Sequence, residues 1–175
     1  MSTILKPCSV PWSISPSGGG LTLTHTQDDE PECSVVLNGW RANEKHGRRI
    51  ELDFILPHYY IRTGYHSDRE NIEAIGYKID DGYDGPPNEH HNWIMNHWET
   101  KGICLNSGFY YAIESDWLDS LKLRDGFRHY VVDDRDGYVE LIAQSFTWKE
   151  WIWMAGHRDD IVKTSEAINT GKGPM

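Results

Sequence analysis

The segment RRIELDFIL, residues 48–56, constrains the fold more than any other part of the sequence. Every second residue from 50 to 56 is a large apolar one, whereas Glu51 and Asp53 lie between them. A β-strand turns successive side chains to opposite faces, while a helix would scatter these apolar residues around its circumference. The segment therefore predicts a strand with one buried face.

A hairpin is the second strong signal. Two extended segments, FRHYVV at 127–132 and YVELIAQSF at 138–146, flank a polar stretch. Asp136-Gly137, in that stretch, supplies residues that tolerate the positive φ of a tight turn. Shorter strands are predicted from similar patterns at 21–26, 33–40, 58–66 and 71–80.

Helical start and stop signals occur three times. They delimit residues 86–102, residues 115–122 and, more weakly, residues 159–169. Because strands do not alternate regularly with long helices, a doubly wound α/β fold is disfavoured. We predict an α+β fold with one mostly antiparallel, twisted sheet of about seven to nine strands, with a half-open barrel as a variant. Two or three short helices are expected on one face or end of that sheet.

The length of 175 residues is that of one domain. Residues 1–20 are rich in Pro and Ser and end in three glycines, so we expect a flexible or extended lead-in there. The single α+β domain is predicted to occupy residues 21–158. A short helix and a frayed tail are expected over residues 159–175.

The charge balance narrows the classes of partner. The chain has 27 acidic and 17 basic residues, which gives a formal net charge of −10 at pH 7. Lys and Arg supply most of the affinity for nucleic-acid phosphates, so an acidic chain is a poor candidate for general nucleic-acid binding. We therefore expect no nucleic-acid partner.

The expected localisation is cytoplasmic. No apolar run approaches the ~20 residues of a membrane-spanning helix, and prolines interrupt the N-terminal segment where a signal peptide would be apolar. Cys8, Cys33 and Cys104 are odd in number and widely spaced, which favours neither a disulfide framework nor a zinc site. We expect no membrane contact and predict no cofactor.

Two features are candidates for partner binding. Asp80, Asp81 and Asp84 form an acidic loop that lacks the ligand spacing of an EF-hand calcium loop. Trp151 and Trp153 lie in an aromatic-rich segment that suits either a core or an interface. If both rings are exposed together, we expect a contact site.

His90, His91 and His97 are candidate metal ligands. On a helix, His90 and His97 share a face but lie about 10 Å apart at 1.5 Å per residue, and the i, i+4 spacing of helical zinc ligands is absent. His91 could still meet the acidic loop across the turn. The alternative is a polar and aromatic helix packed on the sheet, with a stripe at positions 90, 93, 94, 97 and 98.

The stretch 41–49 carries a local excess of positive charge from Arg41, Lys45, Arg48 and Arg49. Such a stretch is typical of a solvated hairpin loop. Alternatively, it forms the positive pole of a surface whose remainder is acidic.

The segments SDWLDSL, FRHYVV and GYVELIA together resemble the C-terminal part of some small bacterial α+β proteins, among them immunity proteins and accessory factors of toxin systems. This resemblance and the charge favour a non-enzymatic binding protein that meets a macromolecular, basic protein partner, such as a nuclease-type toxin, through an acidic, aromatic surface. Two alternatives stay open. One is a β-rich domain that binds a small ligand in an aromatic pocket, and the other is a metal-assisted hydrolase using the three histidines.

Overall fold

The structure is a computed structural model that describes residues 3–14, 20–26, 32–55, 60–66, 72–73, 75–123 and 125–152. These residues form a sheet-rich α+β protein. Its strands are β1 (Thr3–Pro7), β2 (Trp12–Ile14), β3 (Thr22–His25), β4 (Glu32–Arg41), β5 (Arg48–Ile55), β6 (Ile61–Tyr65), β7 (Tyr77–Ile79), β8 (Phe109–Ala112), β9 (Arg128–Asp134), β10 (Gly137–Ala143) and β11 (Ser145–Ile152). Its helices are α1 (His90–Lys101) and α2 (Asp116–Ser120), and a 3₁₀ turn (Pro87–Glu89) precedes α1.

The strands form two sheets rather than one. Six strands lie in the order β6-β10-β9-β8-β1-β7, and a five-stranded sheet has the order β11-β5-β4-β2 with β3 also paired to β4. The pairings are antiparallel except that of β1 with β7. The predicted antiparallel character is therefore confirmed, but the prediction of a single sheet of about seven to nine strands is wrong, because the described residues form eleven strands in two sheets. Stacking two sheets lets strands with one apolar face bury those faces against each other.

The main core lies between the two sheets. In β5 the alternation predicted from the sequence is present, because Ile50, Leu52 and Phe54 are buried while Glu51 and Asp53 are half-buried. The facing strands of the six-stranded sheet contribute alternate residues to the same core: Phe109, Tyr130, Val132, Val139, Leu141 and Ala143.

Large rings fill much of this core. Trp12 stacks on Phe109 at a centroid distance of 6.0 Å and meets Trp148 edge-on at 6.3 Å. Phe146 packs edge-on against Phe109 at 4.8 Å. The aromatic residues at positions 146 and 148 are therefore core residues and not part of an interface.

The opposite face of the six-stranded sheet holds a second, smaller cluster of Leu5, Ile72, Tyr110 and Val131. On this face the Tyr77 hydroxyl of edge strand β7 donates a hydrogen bond to Glu140 of β10. Three strands separate β7 from β10, so the sheet must curl strongly for these side chains to meet. The outer face of the six-stranded sheet is therefore concave.

The helices are shorter than the sequence predicts. The helix expected over 86–102 is present as α1 and ends at Gly102, whose φ of 68° is the left-handed conformation that favours glycine. The helix expected over 115–122 is the single turn α2, and Ser115 caps it by accepting a hydrogen bond from the Leu118 N–H. The predicted helix at 159–169 lies outside the described residues.

Residues 3–14 lie within the segment 1–20, for which the sequence predicts a flexible or extended lead-in. Strands β1 and β2 lie within this range, and the side chains of Leu5 and Trp12 are fully buried. Pairing of β1 with β8 and of β2 with β4 holds this segment in the fold. The predicted domain limits at residues 21 and 158 stay predictions.

The basic stretch 41–49 joins β4 to β5 as a hairpin with an exposed loop at 43–46, as the sequence predicts, but two of its arginines also pair with the buried Glu150. Arg41 Nη2 lies 2.5 Å from Glu150 Oε1, and Arg48 Nη1 lies 3.0 Å from the same oxygen. Glu44 binds Arg48 from the solvent side at 2.6 Å. Because Glu150 is only 1% exposed, its charge requires these two guanidinium groups.

Candidate binding site

The acidic loop follows β7 and is shaped by its own carboxylates. Asp80 Oδ1 accepts a hydrogen bond from the Gly82 N–H at 3.2 Å, and Asp81 Oδ1 accepts one from the Tyr83 N–H at 3.0 Å. Such Asx turns explain why aspartates precede the glycine and tyrosine here. The Lys6 amino group lies 3.7 Å from Asp80, and both side chains are largely solvated.

The loop is fastened to the first turn of α1. His90 Nε2 lies 2.5 Å from Asp81 Oδ2, and the His90 ring stacks on Tyr83 at a centroid distance of 4.8 Å. The Tyr83 hydroxyl donates to the Pro86 carbonyl at 2.8 Å. The loop and the helix therefore present one continuous surface.

Four rings form a ladder along this surface. Trp93 lies 5.1 Å from Tyr83, 6.2 Å from His90 and 5.8 Å from His97 between ring centroids. All four rings are half-buried, so each keeps some exposed area. We call the set the acidic–aromatic face; it comprises Asp80, Asp81, Tyr83, Asp84, His90, Trp93 and His97.

The predicted stripe of α1 divides into two parts. Ile94 is buried and the Trp98 indole N–H donates to the Pro11 carbonyl at 2.8 Å, so these two side chains attach the helix to the body of the protein. The residues at 90, 93 and 97 instead build the ladder. The spacing of the stripe correctly predicts a helix. It does not show which residues of the stripe attach the helix to the protein and which form the ladder.

The candidate metal ligands do not converge. It is His90, not His91, that meets the acidic loop, while His91 is exposed and His97 lies at the far end of the ladder. In the ranges that the structure describes, no three His, Cys, Asp or Glu side chains are placed to hold a metal ion. The metal-assisted hydrolase therefore has no geometric support in those ranges.

The other predicted partner-binding residues lie elsewhere. Trp151 is half-buried in β11, opposite Arg49 of β5 in the five-stranded sheet, whereas the acidic loop follows an edge strand of the six-stranded sheet. Trp153 lies outside the described residues. The paired exposure that would mark Trp151 and Trp153 as a contact site therefore stays a prediction.

The sequence did not reveal a polar network on the concave face. His129 Nδ1 lies 2.8 Å from the Ser115 hydroxyl, and the Trp117 ring meets the His129 ring edge-on at 5.1 Å. The Arg62 guanidinium lies 3.9 Å above the Trp117 ring. The sequence held one clue, because His129 and Glu140 are polar residues within the predicted strands at 127–132 and 138–146.

Burial controls the protonation of this network. Desolvation lowers the pKa of His129 from 6.5 to about 4, and the Arg62 charge acts in the same direction. Burial and the Glu140 carboxylate raise the pKa of the Tyr77 hydroxyl far above its usual value. His129 is therefore neutral and Tyr77 protonated at physiological pH, and Ser115 is occupied as the cap of α2.

A second buried pair lies near the β9–β10 turn. His66 Nε2 lies 2.7 Å from Asp133 Oδ1, and the His66 side chain is only 2% exposed. Burial raises the pKa of the Asp133 carboxyl, while the hydrogen bond and charge of His66 oppose this shift. The His66 ring also packs against the Tyr138 ring at a centroid distance of 5.5 Å.

A cleft of about 370 Å³ opens where the two sheets part. It lies between β3 of one sheet and β6 and β10 of the other, and the β9–β10 turn bounds it at one end. The lining includes Leu21, Leu23, Thr63, Tyr65, Asp134 and Val139.

Comparison with protein-family models, with curated proteins and with solved structures found no match. Within the part of the chain that the structure describes, no helix is both long enough and apolar enough to span a membrane. Evidence for a function therefore comes from the geometry of the chain itself.

Proposed function

We propose that this protein is a non-enzymatic binding protein that recognises a basic protein partner through the acidic–aromatic face. The observation that carries the proposal is the ladder of four half-exposed rings in direct contact with a carboxylate loop. Aromatic rings with polar edges and adjacent carboxylates are the groups that bind lysine and arginine side chains.

The charge of this region supports a basic partner. Residues 80–89 contain four acidic residues and no Lys or Arg. Asp81 is bound by His90, whereas the pair between Lys6 and Asp80 is long and solvated, so it holds Asp80 only weakly. In a chain with a net charge of −10, this surface attracts a cationic protein and speeds its association.

The ring arrangement suits a guanidinium group. The protein already contains such a contact, because the Arg62 Cζ lies over the Trp117 ring, 3.9 Å from its centroid, on the concave face. A partner arginine placed over Trp93 would find the exposed Asp84 on the neighbouring loop, whereas Asp81 is already bound by His90 and the Tyr83 N–H. Stacking and ion pairing would then act on the same side chain.

A binding assay with a defined probe tests this proposal. The probe is a peptide with four arginines in eight residues, and a peptide with glutamate at those positions is its control. We expect measurable affinity for the arginine peptide by calorimetry, and we expect Trp93→Ala to raise its Kd by about tenfold through loss of a cation–π contact.

A matched control separates this face from aromatic residues in general. Trp40 is exposed on the five-stranded sheet, far from the acidic loop in the topology, so Trp40→Ala should leave the Kd unchanged. Equal losses in the two variants, or equal affinity for the glutamate peptide, would refute the proposal.

The toxin-immunity role is a narrower form of the same proposal. A nuclease-type toxin carries basic residues for its own nucleic-acid substrate, and an acidic face of this kind would cover them. Association with such a toxin should slow as salt is raised, because steering between opposite charges is screened. An association rate that does not depend on salt would contradict this role.

A further inference from the structure

The cleft between the sheets is distinct from the acidic–aromatic face. It is bounded by β3, β6 and β10, whereas the face is built from α1 and the loop after β7. Val139 in its lining is a buried core residue, and Leu21 and Leu23 pack against the same core. The cleft therefore adjoins the core between the sheets at these three aliphatic residues.

A buried carboxylate without a cation lies in this cleft. Asp134 is 6% exposed, and it accepts hydrogen bonds from the Arg135 N–H at 2.6 Å and, more weakly, from the Leu21 N–H at 3.4 Å. In the described ranges, no Lys, Arg or His nitrogen lies within ion-pair distance of it; even its neighbour Arg135 is solvent-exposed. Two backbone N–H groups are therefore the donors to this carboxyl group, and a cationic ligand would add the partner that the described side chains do not supply.

The mouth of the cleft adds an aromatic ring and a second carboxylate. Tyr65 is 90% exposed at the end of edge strand β6, so its ring contributes little to the core. Asp136 is exposed in the turn beside it. A ring and two carboxylates around an apolar floor are complementary to a positive group carried on an apolar body.

We propose that this cleft binds a small organic cation, an amine or guanidine whose apolar part lies on Leu21, Leu23 and Val139. The positive group pairs with Asp134 and Asp136, and Tyr65 covers the ligand at the mouth. The volume of about 370 Å³ lies within the range of known small-ligand sites. This inference goes beyond the proposed function and does not depend on it.

The test uses benzylammonium as the probe. Benzyl alcohol, which has the same shape without the charge, and benzoate, which has the opposite charge, serve as controls. In ¹H–¹⁵N NMR titrations we expect saturable shifts with benzylammonium at the amides of Leu23, Gly64 and Gly137, and a Kd at least tenfold weaker for benzyl alcohol. Benzoate should give no saturable shift.

Two variants check the assignment. Asp134→Asn keeps an oxygen that accepts the 2.6 Å hydrogen bond from the Arg135 N–H and gives up only the 3.4 Å bond from the Leu21 N–H, which is made to the other oxygen. Because the variant removes the charge, we expect about a tenfold loss of benzylammonium affinity. Tyr65→Ala changes an exposed residue, so it should fold normally and weaken binding by about fivefold. Asp119→Asn, at an exposed position on α2, is the control and should change nothing.

Three outcomes would overturn the proposal. The first is no saturable shift at the cleft with any probe, and the second is equal affinity for benzylammonium and benzyl alcohol. The third is a set of shifts confined to residues 80–98, which would place the cation on the acidic–aromatic face and leave the proposed function intact. Conversely, if the arginine peptide fails to bind the acidic–aromatic face, the proposed function fails, but NMR shifts at the cleft with benzylammonium would still support the cation site.

Discussion

At the scale of single residues, His129 couples its ionisation to folding. Its pKa is about 4 in the folded protein because of burial and Arg62, against 6.5 for an exposed imidazole. The folded state therefore binds this proton less readily than the unfolded state. The contribution of neutral His129 to stability is complete above pH 6.5 and is lost as the pH falls towards 4. We expect this contribution to be about 3 kcal/mol, at 1.36 kcal/mol per pKa unit.

Urea unfolding between pH 4 and pH 7 measures this contribution. His129→Asn does not titrate, and its amide can replace the ring nitrogen that meets Ser115. The difference in free energy of unfolding between the native protein and this variant should shrink by about 3 kcal/mol as the pH falls from 7 to 4. A difference that stays constant with pH would show that His129 is not desolvated in the folded state.

Among the charged side chains of β11, Glu150 should contribute the most to the free energy of unfolding. Glu150→Gln leaves Arg41 and Arg48 without their buried counter-charge, so we expect a loss of about 3 kcal/mol in the free energy of unfolding. Asp53→Asn is the control, since it breaks a solvated pair with Lys149 at 2.9 Å and should cost less than about 1 kcal/mol. Similar losses in the two variants, measured by chemical denaturation, would contradict this role for burial.

At the scale of secondary-structure elements, the structure gives a different reason for the glycine at position 137 from the one that the sequence suggests. The sequence assigns it to a turn with positive φ, yet its φ is not in the left-handed region. A Cβ added there would lie 2.5 Å from the Gly64 carbonyl oxygen on the neighbouring strand. Glycine is needed because β6 approaches β10 closely, which the local sequence of the turn cannot reveal.

Gly137→Ala should therefore destabilise the protein by about 1–3 kcal/mol, because a backbone oxygen cannot move aside as a flexible side chain can. Gly47→Ala is the matched control, since its added Cβ would meet only the Trp40 ring at 3.8 Å, an ordinary contact. Thermal unfolding should show a lower Tm for the first variant alone. An unchanged Tm for Gly137→Ala would mean that the two strands can separate at no cost.

The elements that the sequence predicts well are those with a local signal. Strand β5 and the β9–β10 hairpin have a clear period of two, and Ser115 is a recognisable cap. Strands β1 and β2 were missed because they are short, lie among prolines and are defined by pairing with distant strands. Their burial of Leu5 and Trp12 depends on partners about 30 to 100 residues away, which no local pattern encodes.

At the scale of the whole molecule, the division into two sheets decides which predicted residues come together. The acidic loop was identified from its sequence, but its aromatic partners were expected at Trp151 and Trp153. The structure places Tyr83 and Trp93 beside the loop instead, and it places Trp151 in the other sheet. Which rings lie beside a loop is a property of tertiary packing, so composition alone could not assign them.

Recognition of a basic partner by the acidic–aromatic face is tested most directly by a ¹H–¹⁵N NMR titration with the arginine peptide at low salt. The predicted result is that the largest shifts fall on the Trp93 indole N–H and the amides of residues 80–98, and that they shrink as salt is raised. Largest shifts at Trp40, or shifts of equal size with the glutamate peptide, would contradict it.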